Sequence, residues 1–220
     1  MSEKLNKGFN IKKKELDARI QFETQIPRGY KIIPLKELVS AEKIIPMKTD
    51  EIEAFLRHIP LMNSPEIFPY KNAEICRHMA GPQGLNVAQR FILRSKLISI
   101  LEGLDNLYEG FQFPGLLKRT AHYVIGRDSE ERKVGGVYFP PLLEIVGESA
   151  LLFDGNHRMS LCGTGSASEI LLIKKSSVNP PYSGIPWHRN FVDKKPPLLE
   201  RYVDFNPTLL KDFDYVGIDG

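Results

Sequence analysis

The sequence predicts an α/β fold of the α+β type, and two segments lead to this prediction. An apolar run at residues 149–153 is typical of a buried strand, and it ends abruptly in a polar turn at 154–158, where a short helix is expected to begin. Far upstream, residues 30–34 suit a second buried strand. Thr49 is then predicted to cap an amphipathic helix, because apolar residues recur after it at helical spacing.

Composition favours one folded unit with an ordinary core. The chain has 220 residues, of which 42% are hydrophobic and 26% are charged, so it is long enough to bury a sizeable interior. The net charge of +3 does not demand nucleic acid, and it would not oppose an anionic substrate. Cys76 and Cys162 lack metal-ligand spacing and are expected to be buried thiols in a reducing compartment. Without a signal-like leader or an apolar run of ~20 residues, a cytoplasmic protein with no membrane partner is expected.

Three regions are predicted along the chain. Residues 1–28 form an N-terminal arm and helix, 29–178 form the core, and 179–220 form a loop and a tail that pack on the core. Within the core, residues at about 60–136 are expected to be a helical insertion. One of its helices would be capped by Asn86, and another would run over 114–125.

The polar turn carries the clearest chemistry. Gly155 permits a positive φ or a close approach to a ligand, while His157 and Arg158 open the helix. Backbone N–H groups, a guanidinium and an imidazole at one spot suit a phosphate. Asp154 adds a carboxylate for a metal or a hydroxyl. The alternative is an ordinary Asp-Gly turn with Arg158 in a surface salt bridge.

Other motifs are absent from the sequence. There is no phosphate-binding loop ending in Gly-Lys-Ser/Thr, no Gly-x-Gly-x-x-Gly fingerprint and no paired spacing for a zinc site. His58, His78 and His122 fall in stretches expected to be helical, where structural roles are favoured.

The motif Asp-Gly-Asn-His-Arg after a strand, followed by a small-residue helix and a strand at 169–174, resembles the signature of the ParB/sulfiredoxin superfamily. The resemblance covers about residues 138–174. It implies a small mixed sheet and a turn that binds nucleotide phosphates. The residues implied in nucleotide binding are Gly155, Asn156, His157 and Arg158.

A second resemblance, over 33–42 and 49–57, is closest to the free serine kinases of that superfamily. These kinases carry a catalytic glutamate shortly after the first strand, and Glu42 falls at that place. Glu37 is an alternative base that the sequence does not separate from Glu42.

The kinase resemblance assigns further roles. Asp154 and His157 join Glu42 as catalytic residues, and Asp154 is also the expected Mg²⁺ ligand. Trp187 and His188, in a proline-rich passage, are expected near the substrate. The alternative for these two is a packing tryptophan beside a partly exposed histidine.

The expected function is that of a nucleotide-dependent kinase, using ATP or ADP with Mg²⁺ on a hydroxyl of a small molecule. A serine-like amino acid is the first candidate. Asn156 stands where sulfiredoxins need cysteine, which disfavours sulfinic-acid reduction. Two alternatives remain: a ParB-like nucleotide-binding switch, and a DNA-associated protein that uses the basic arm and the insertion. Nucleic acid is possible but not demanded, and the oligomeric state is left open.

Overall fold

A computed structural model describes residues 8–109, 111, 120–162 and 166–218, and it confirms the predicted α+β class. The helices are α1 (Lys13–Ile20), α2 (Thr49–Arg57), α3 (Arg94–Leu107), α4 (Asn156–Ser160) and α5 (Leu198–Arg201). The strands are β1 (Ile11–Lys12), β2 (Lys31–Ile32), β3 (Leu38–Pro46), β4 (Glu74–Ala80), β5 (Asn86–Val87), β6 (Ile92–Leu93), β7 (His122–Asp128), β8 (Lys133–Tyr138), β9 (Leu142–Val146), β10 (Ser149–Asp154), β11 (Ser168–Lys174), β12 (Ile185–Pro186) and β13 (Phe191–Val192).

These strands form two mixed sheets and a short ribbon. The first sheet has the order β1-β2-β8-β7-β3, and the second has the order β12-β5-β10-β9-β11-β4. Each contains parallel and antiparallel neighbours: β2 runs parallel to β8, and β11 runs parallel to β9. The ribbon pairs β6 with β13 in parallel. Residues 139–141 carry the chain from the first sheet to the second.

The main core lies between the two sheets, where alternate strand residues meet. Tyr123 and Ile125 of β7 belong to this core, whereas Val124 between them packs on the outer face of the first sheet. Leu142 of β9 also faces the main core, and Leu143 faces the outer side of the second sheet. The period-two alternation of a strand is therefore present, but both faces are buried and the strands read as continuous apolar runs.

Helices cover the remaining faces. The main core includes buried side chains of α1 and α2, among them Leu16 and Phe55. The end of α3 covers the outer face of the first sheet through Leu107. Met159 of α4 covers the outer face of the second sheet. No described helix combines the length and the apolar character that crossing a bilayer requires.

The predicted helical insertion at about 60–136 is wrong in its secondary structure. The described part of that stretch contains β4, β5, β6, β7 and the start of β8, with α3 as its helix. The helix predicted from Asn86 begins instead at Arg94, and residues 86–87 lie in β5. Residues 122–125 lie in β7, while 114–119 of the second predicted helix lie outside the described residues. Short apolar runs buried on both faces lack the polar alternation that distinguishes a strand from a helix.

The C-terminal tail packs on the core. Val216 and Ile218 are buried in the main core. Arg19 of α1 donates to the carbonyl oxygen of Tyr215 at 2.6 Å, and its guanidinium lies 4.6 Å from the Tyr215 ring centroid. The tail therefore packs against α1 and fills part of the main core.

Candidate functional site

The turn at 154–158 has a backbone that only glycine fits. Gly155 has a φ of +87° and precedes α4 directly. A Cβ atom there would lie 2.7 Å from Cβ and 2.9 Å from Cα of Pro141. The pairing of β10 with β9 also shifts register between Leu152 and Asp154, a bulge that re-aims the end of the strand. The strand, the bulge and the glycine together set where Asp154 and α4 lie.

Arg158 is held by groups of the protein itself. Its Nη2 lies 2.5 Å from Oδ2 of Asp154, and its Nη1 donates to the carbonyl oxygen of Phe139. Its guanidinium also lies 5.5 Å from the ring centroid of Tyr138. That ring stacks on buried His122 at 4.8 Å. Arg158 therefore links the turn to Tyr138 and Phe139, where the chain passes from the first sheet to the second.

His157 is a buried hydrogen-bond acceptor. Its Nε2 accepts from the backbone N–H of Leu93 at 3.1 Å, which links α4 to β6. An accepting Nε2 places the proton of the neutral ring on Nδ1. Burial, and then the nearby charge of Lys96, lower the pKa of His157 from 6.5 to about 4. The imidazole is therefore neutral at pH 7.

Asn156 is the least satisfied side chain of the turn. The residue is 4% exposed, and neither its amide nitrogen nor its amide oxygen has a hydrogen-bond partner in the described part of the chain. Burying an amide without a partner costs about 1–3 kcal/mol. A buried group with both a free donor and a free acceptor is suited to a ligand.

Basic residues that the sequence analysis did not single out lie beside the turn. Lys96 is exposed and near enough to His157 to affect its pKa. Arg189 donates to the carbonyl oxygen of Cys162, just after α4. In sequence, the run at 88–96 contains three cations and no acid. This local excess of positive charge is the sequence signal that points to these residues. The mild net charge of the whole chain does not reveal it.

A buried ion pair involves β9, the strand that pairs with β10. Lys211 Nζ is 2.7 Å from Glu144 Oε1, and the two side chains are 0% and 1% exposed. Tyr70 donates its hydroxyl to the same carboxylate oxygen. Burial lowers the pKa of Lys211, and Glu144 opposes that shift. Lys211 Nζ also lies 4.4 Å from the ring centroid of Phe153, the residue before Asp154.

Glu42 does not lie at this site. It belongs to β3 at the edge of the first sheet, whereas Asp154 ends β10 in the second sheet. Its Oε1 accepts from Nε of Arg127 at 2.7 Å, and its side chain is 41% exposed. β3 and β10 therefore belong to different sheets. Glu37, the alternative base, is exposed in a 3₁₀ turn before β3.

Trp187 and His188 follow β12 and contact the segments that lead into β5 and β6. The Trp187 side chain packs on the apolar cluster at the outer face of the second sheet. The backbone N–H of Trp187 donates to the carbonyl oxygen of Leu85 at 2.9 Å. The His188 ring places Nε2 2.6 Å from the carbonyl oxygen of Arg90 and Nδ1 3.1 Å from that of Pro186. These contacts are those of a packing tryptophan and of a histidine that fixes a loop.

Across the described residues, no three His, Cys, Asp or Glu side chains come together as a set that could hold a metal ion. Asp154 is a single carboxylate. Its Oδ2 contacts Arg158, and its Oδ1 accepts no hydrogen bond from the described residues. This fits Mg²⁺ when it is bound by one or two carboxylates together with substrate phosphates.

No protein-family model matches this chain, and searches among curated proteins and solved structures return no match either.

Proposed function

We propose that this protein binds a nucleotide through its phosphates at the turn 154–158. The observation that carries the proposal is the buried, unpartnered amide of Asn156 at the start of α4. Its Nδ2 would donate to a phosphate oxygen. The N–H groups of Asn156, His157 and Arg158 precede the first helical hydrogen bond, which Met159 makes to Gly155. They would add donors of the same kind.

Each remaining residue of the turn has a part in this proposal. Gly155 lets the backbone turn against Pro141. Arg158 positions Asp154, because its guanidinium is already engaged inside the protein. His157 would present its Nδ1–H as a neutral donor. Lys96 would supply positive charge from outside the turn.

We further propose that the bound nucleotide donates a phosphoryl group to a hydroxyl of a small molecule, with a serine-like amino acid as the first candidate. The hydroxyl oxygen would form a bond to the terminal phosphorus as the bond to the leaving nucleotide oxygen breaks. The proton would pass to Oδ1 of Asp154, since Glu42 is elsewhere. In the other role expected for it, Asp154 would stay ionised and hold Mg²⁺ together with the phosphates, the ion would supply charge neutralisation, and the hydroxyl proton would leave to water.

A second candidate function is a nucleotide-dependent switch without turnover. The ion pair between Asp154 and Arg158 favours it, because one oxygen of the carboxylate is already engaged by the guanidinium at 2.5 Å. Occupancy of the turn would then act on β6 through the contact between His157 and Leu93.

Substitution of Asn156 by leucine tests the binding site. Leucine has a similar volume and no polar atoms, so we expect an unchanged or higher midpoint of urea unfolding. Nucleotide affinity should fall by roughly 10- to 150-fold, the equivalent of ~1.5–3 kcal/mol for a hydrogen bond to a charged group. Calorimetric titration with ATP, ADP, CTP and GTP in the presence of Mg²⁺ measures this. The control is Asn72→Leu, at an exposed position before β4.

The same titration separates the outcomes. If the wild-type protein binds none of the four nucleotides, the proposal fails. If Asn156→Leu destabilises the fold and leaves affinity intact, the amide has a structural role. Incubation of the wild type with serine and other hydroxyl acceptors and with labelled nucleotide then decides between the two functions. Turnover on an acceptor favours the kinase, and binding without turnover favours the switch.

A further inference from the structure

A cluster of cations lies beside the candidate site, on β6, β13 and the segment that leads into α5. Exposed Arg90, Arg94, Lys96, Lys194 and Lys195, together with half-buried Arg201, form what we call the cationic face. Residues 88–96 and 187–201 contain seven Lys and Arg against two Asp and Glu. Their formal charge of +5 exceeds the +3 of the whole chain, so the positive charge of the protein is concentrated here.

Backbone contacts show that these segments are adjacent. The N–H of Arg90 donates to the carbonyl oxygen of Arg201 at 2.9 Å, and β6 pairs with β13. Burial and the charges of Arg201 and Lys96 lower the pKa of Lys195, as expected for cations placed near each other. Asp193 forms an ion pair with Arg94 at 2.7 Å. The two segments thus gather more cations than acids in one place.

Aromatic rings accompany the cations. The guanidinium groups of Arg90, Arg94 and Arg201 lie 5.9, 6.0 and 5.6 Å from ring centroids. The rings in these three pairs are those of Phe91, Phe191 and Tyr202. Arginine on a ring presents a flat surface as well as a charge.

An aromatic column continues from the candidate site toward the same face. The rings of Phe153 and Tyr182 lie 5.6 Å apart, Tyr182 and Tyr202 stack at 4.9 Å with an interplanar angle of 6°, and Phe205 follows Tyr202 at 5.4 Å. Phe205 is half-buried and ends this column of rings.

We propose that the cationic face binds single-stranded nucleic acid, with phosphates on the cations and bases on the aromatic rings. An acidic peptide or an anionic membrane would need the charge but not the planar groups. Proteins that bind single strands without sequence preference combine a basic groove with aromatic platforms in this way. This inference shares Lys96 with the proposed nucleotide site, but it does not use Asn156, so variants of Asn156 test the two proposals separately.

The test is fluorescence anisotropy of the full chain with a short labelled oligothymidylate over a range of salt concentrations. We expect affinity to fall steeply with salt. The triple variant Arg90→Gln, Lys96→Gln, Lys194→Gln should bind roughly 100-fold more weakly at 0.1 M salt, and its log–log salt slope should be smaller by about 2 units, given about 0.7 per phosphate contact in a single strand. Emission of Trp187, the only tryptophan, should change on binding.

The matched control removes the same charge elsewhere, by Lys12→Gln, Lys14→Gln and Lys31→Gln at exposed positions near β1 and β2. It should bind the strand within about twofold of the wild type. A second variant, Phe205→Leu, keeps apolar volume but removes the ring, and it should weaken binding by about 5-fold or more. Asn156→Leu should bind the strand normally, which separates this proposal from the nucleotide site.

Three results would overturn the inference. One is equal loss of affinity in the two triple variants, which would indicate attraction by total charge alone. Another is binding of polyglutamate or anionic vesicles as tight as that of the oligonucleotide. The third is tighter binding of a duplex of the same length, which would exclude a platform for unpaired bases.

Discussion

Gly155 occupies the left-handed region of φ, where a residue with a Cβ atom is strained by about 1–2 kcal/mol. Its second constraint is contact with Pro141, which leaves no room for a methyl group. These two effects can be separated, because Gly29 has almost the same φ, +86°, and no neighbouring atom lies within 4 Å of the place that a methyl group would take there.

We therefore expect Gly155→Ala to lower the free energy of unfolding by roughly 2–5 kcal/mol, from backbone strain and overpacking together. Gly29→Ala should cost only the strain, about 1–2 kcal/mol. Urea unfolding of both variants measures the difference. Equal losses would show that Pro141 moves aside and that the turn tolerates a side chain.

Sequence and structure agree on the turn for a physical reason. The Asp-Gly dipeptide after an apolar strand is a local signal, since the strand, the positive φ and the helix start all lie within ten residues. The unpartnered state of Asn156 could not be predicted this way, because it depends on what surrounds the amide in space. The placement of Glu42 could not be predicted for the same reason, because its distance from Asp154 depends on which sheet β3 joins.

At the scale of elements, His157 couples α4 to β6. Its Nε2 accepts from Leu93, and protonation of that nitrogen would remove the acceptor. The folded protein holds the pKa of His157 at about 4, below the ordinary 6.5, so the unfolded chain binds more protons between these values. The stabilising contribution is complete above pH 6.5 and is lost as the pH falls toward 4.

We expect the wild type to lose about 2 kcal/mol more unfolding free energy than His157→Gln when the pH is lowered from about 8 to about 5. Glutamine keeps an acceptor oxygen but does not titrate, so the variant lacks the proton uptake of His157. The carboxylates titrate in both proteins, and their effect on stability cancels in the comparison. Urea titrations of both proteins at the two pH values provide the measurement. Equal losses of unfolding free energy in the two proteins would contradict the prediction, because they would show that the imidazole is in contact with solvent.

The stretch at 60–136 shows where pattern-based prediction of elements fails. In β7, His122, Tyr123, Val124 and Ile125 are all buried, since the main core covers one face and α3 the other. Aromatic and β-branched residues of this kind favour strands. Their unbroken apolar run nevertheless resembles that of a buried helix. Pairing with β3 and β8, which are distant in sequence from one another, is what makes the segment a strand.

At the scale of the whole molecule, Lys211 fastens the tail to the second sheet. Lys211→Met would leave the Glu144 carboxylate buried without its counter-charge. We expect a loss of about 3–5 kcal/mol in unfolding free energy. Addition of Glu144→Gln should restore most of it, because the amide is neutral and still accepts from Tyr70.

The exposed pair between Lys174 and Glu74 is the matched control, with side chains 39% and 51% exposed. Lys174→Met should lower the free energy of unfolding far less than Lys211→Met does, because water screens the exposed pair. A double-mutant cycle at each pair, followed by urea unfolding, gives the two coupling energies. Similar values for the buried and the exposed pair would contradict this account of the tail.

The position of Lys211, Val216 and Ile218 also bears on how the chain reaches its native state during synthesis. A ribosome produces β9 and β10 long before it produces the segment that neutralises Glu144 and fills the space beside α1. A nascent chain in which both sheets are already translated therefore still has an unmatched carboxylate and an open interior. Native closure of the molecule awaits residues 211–218, which makes the arrival of this segment a late, committing event in folding.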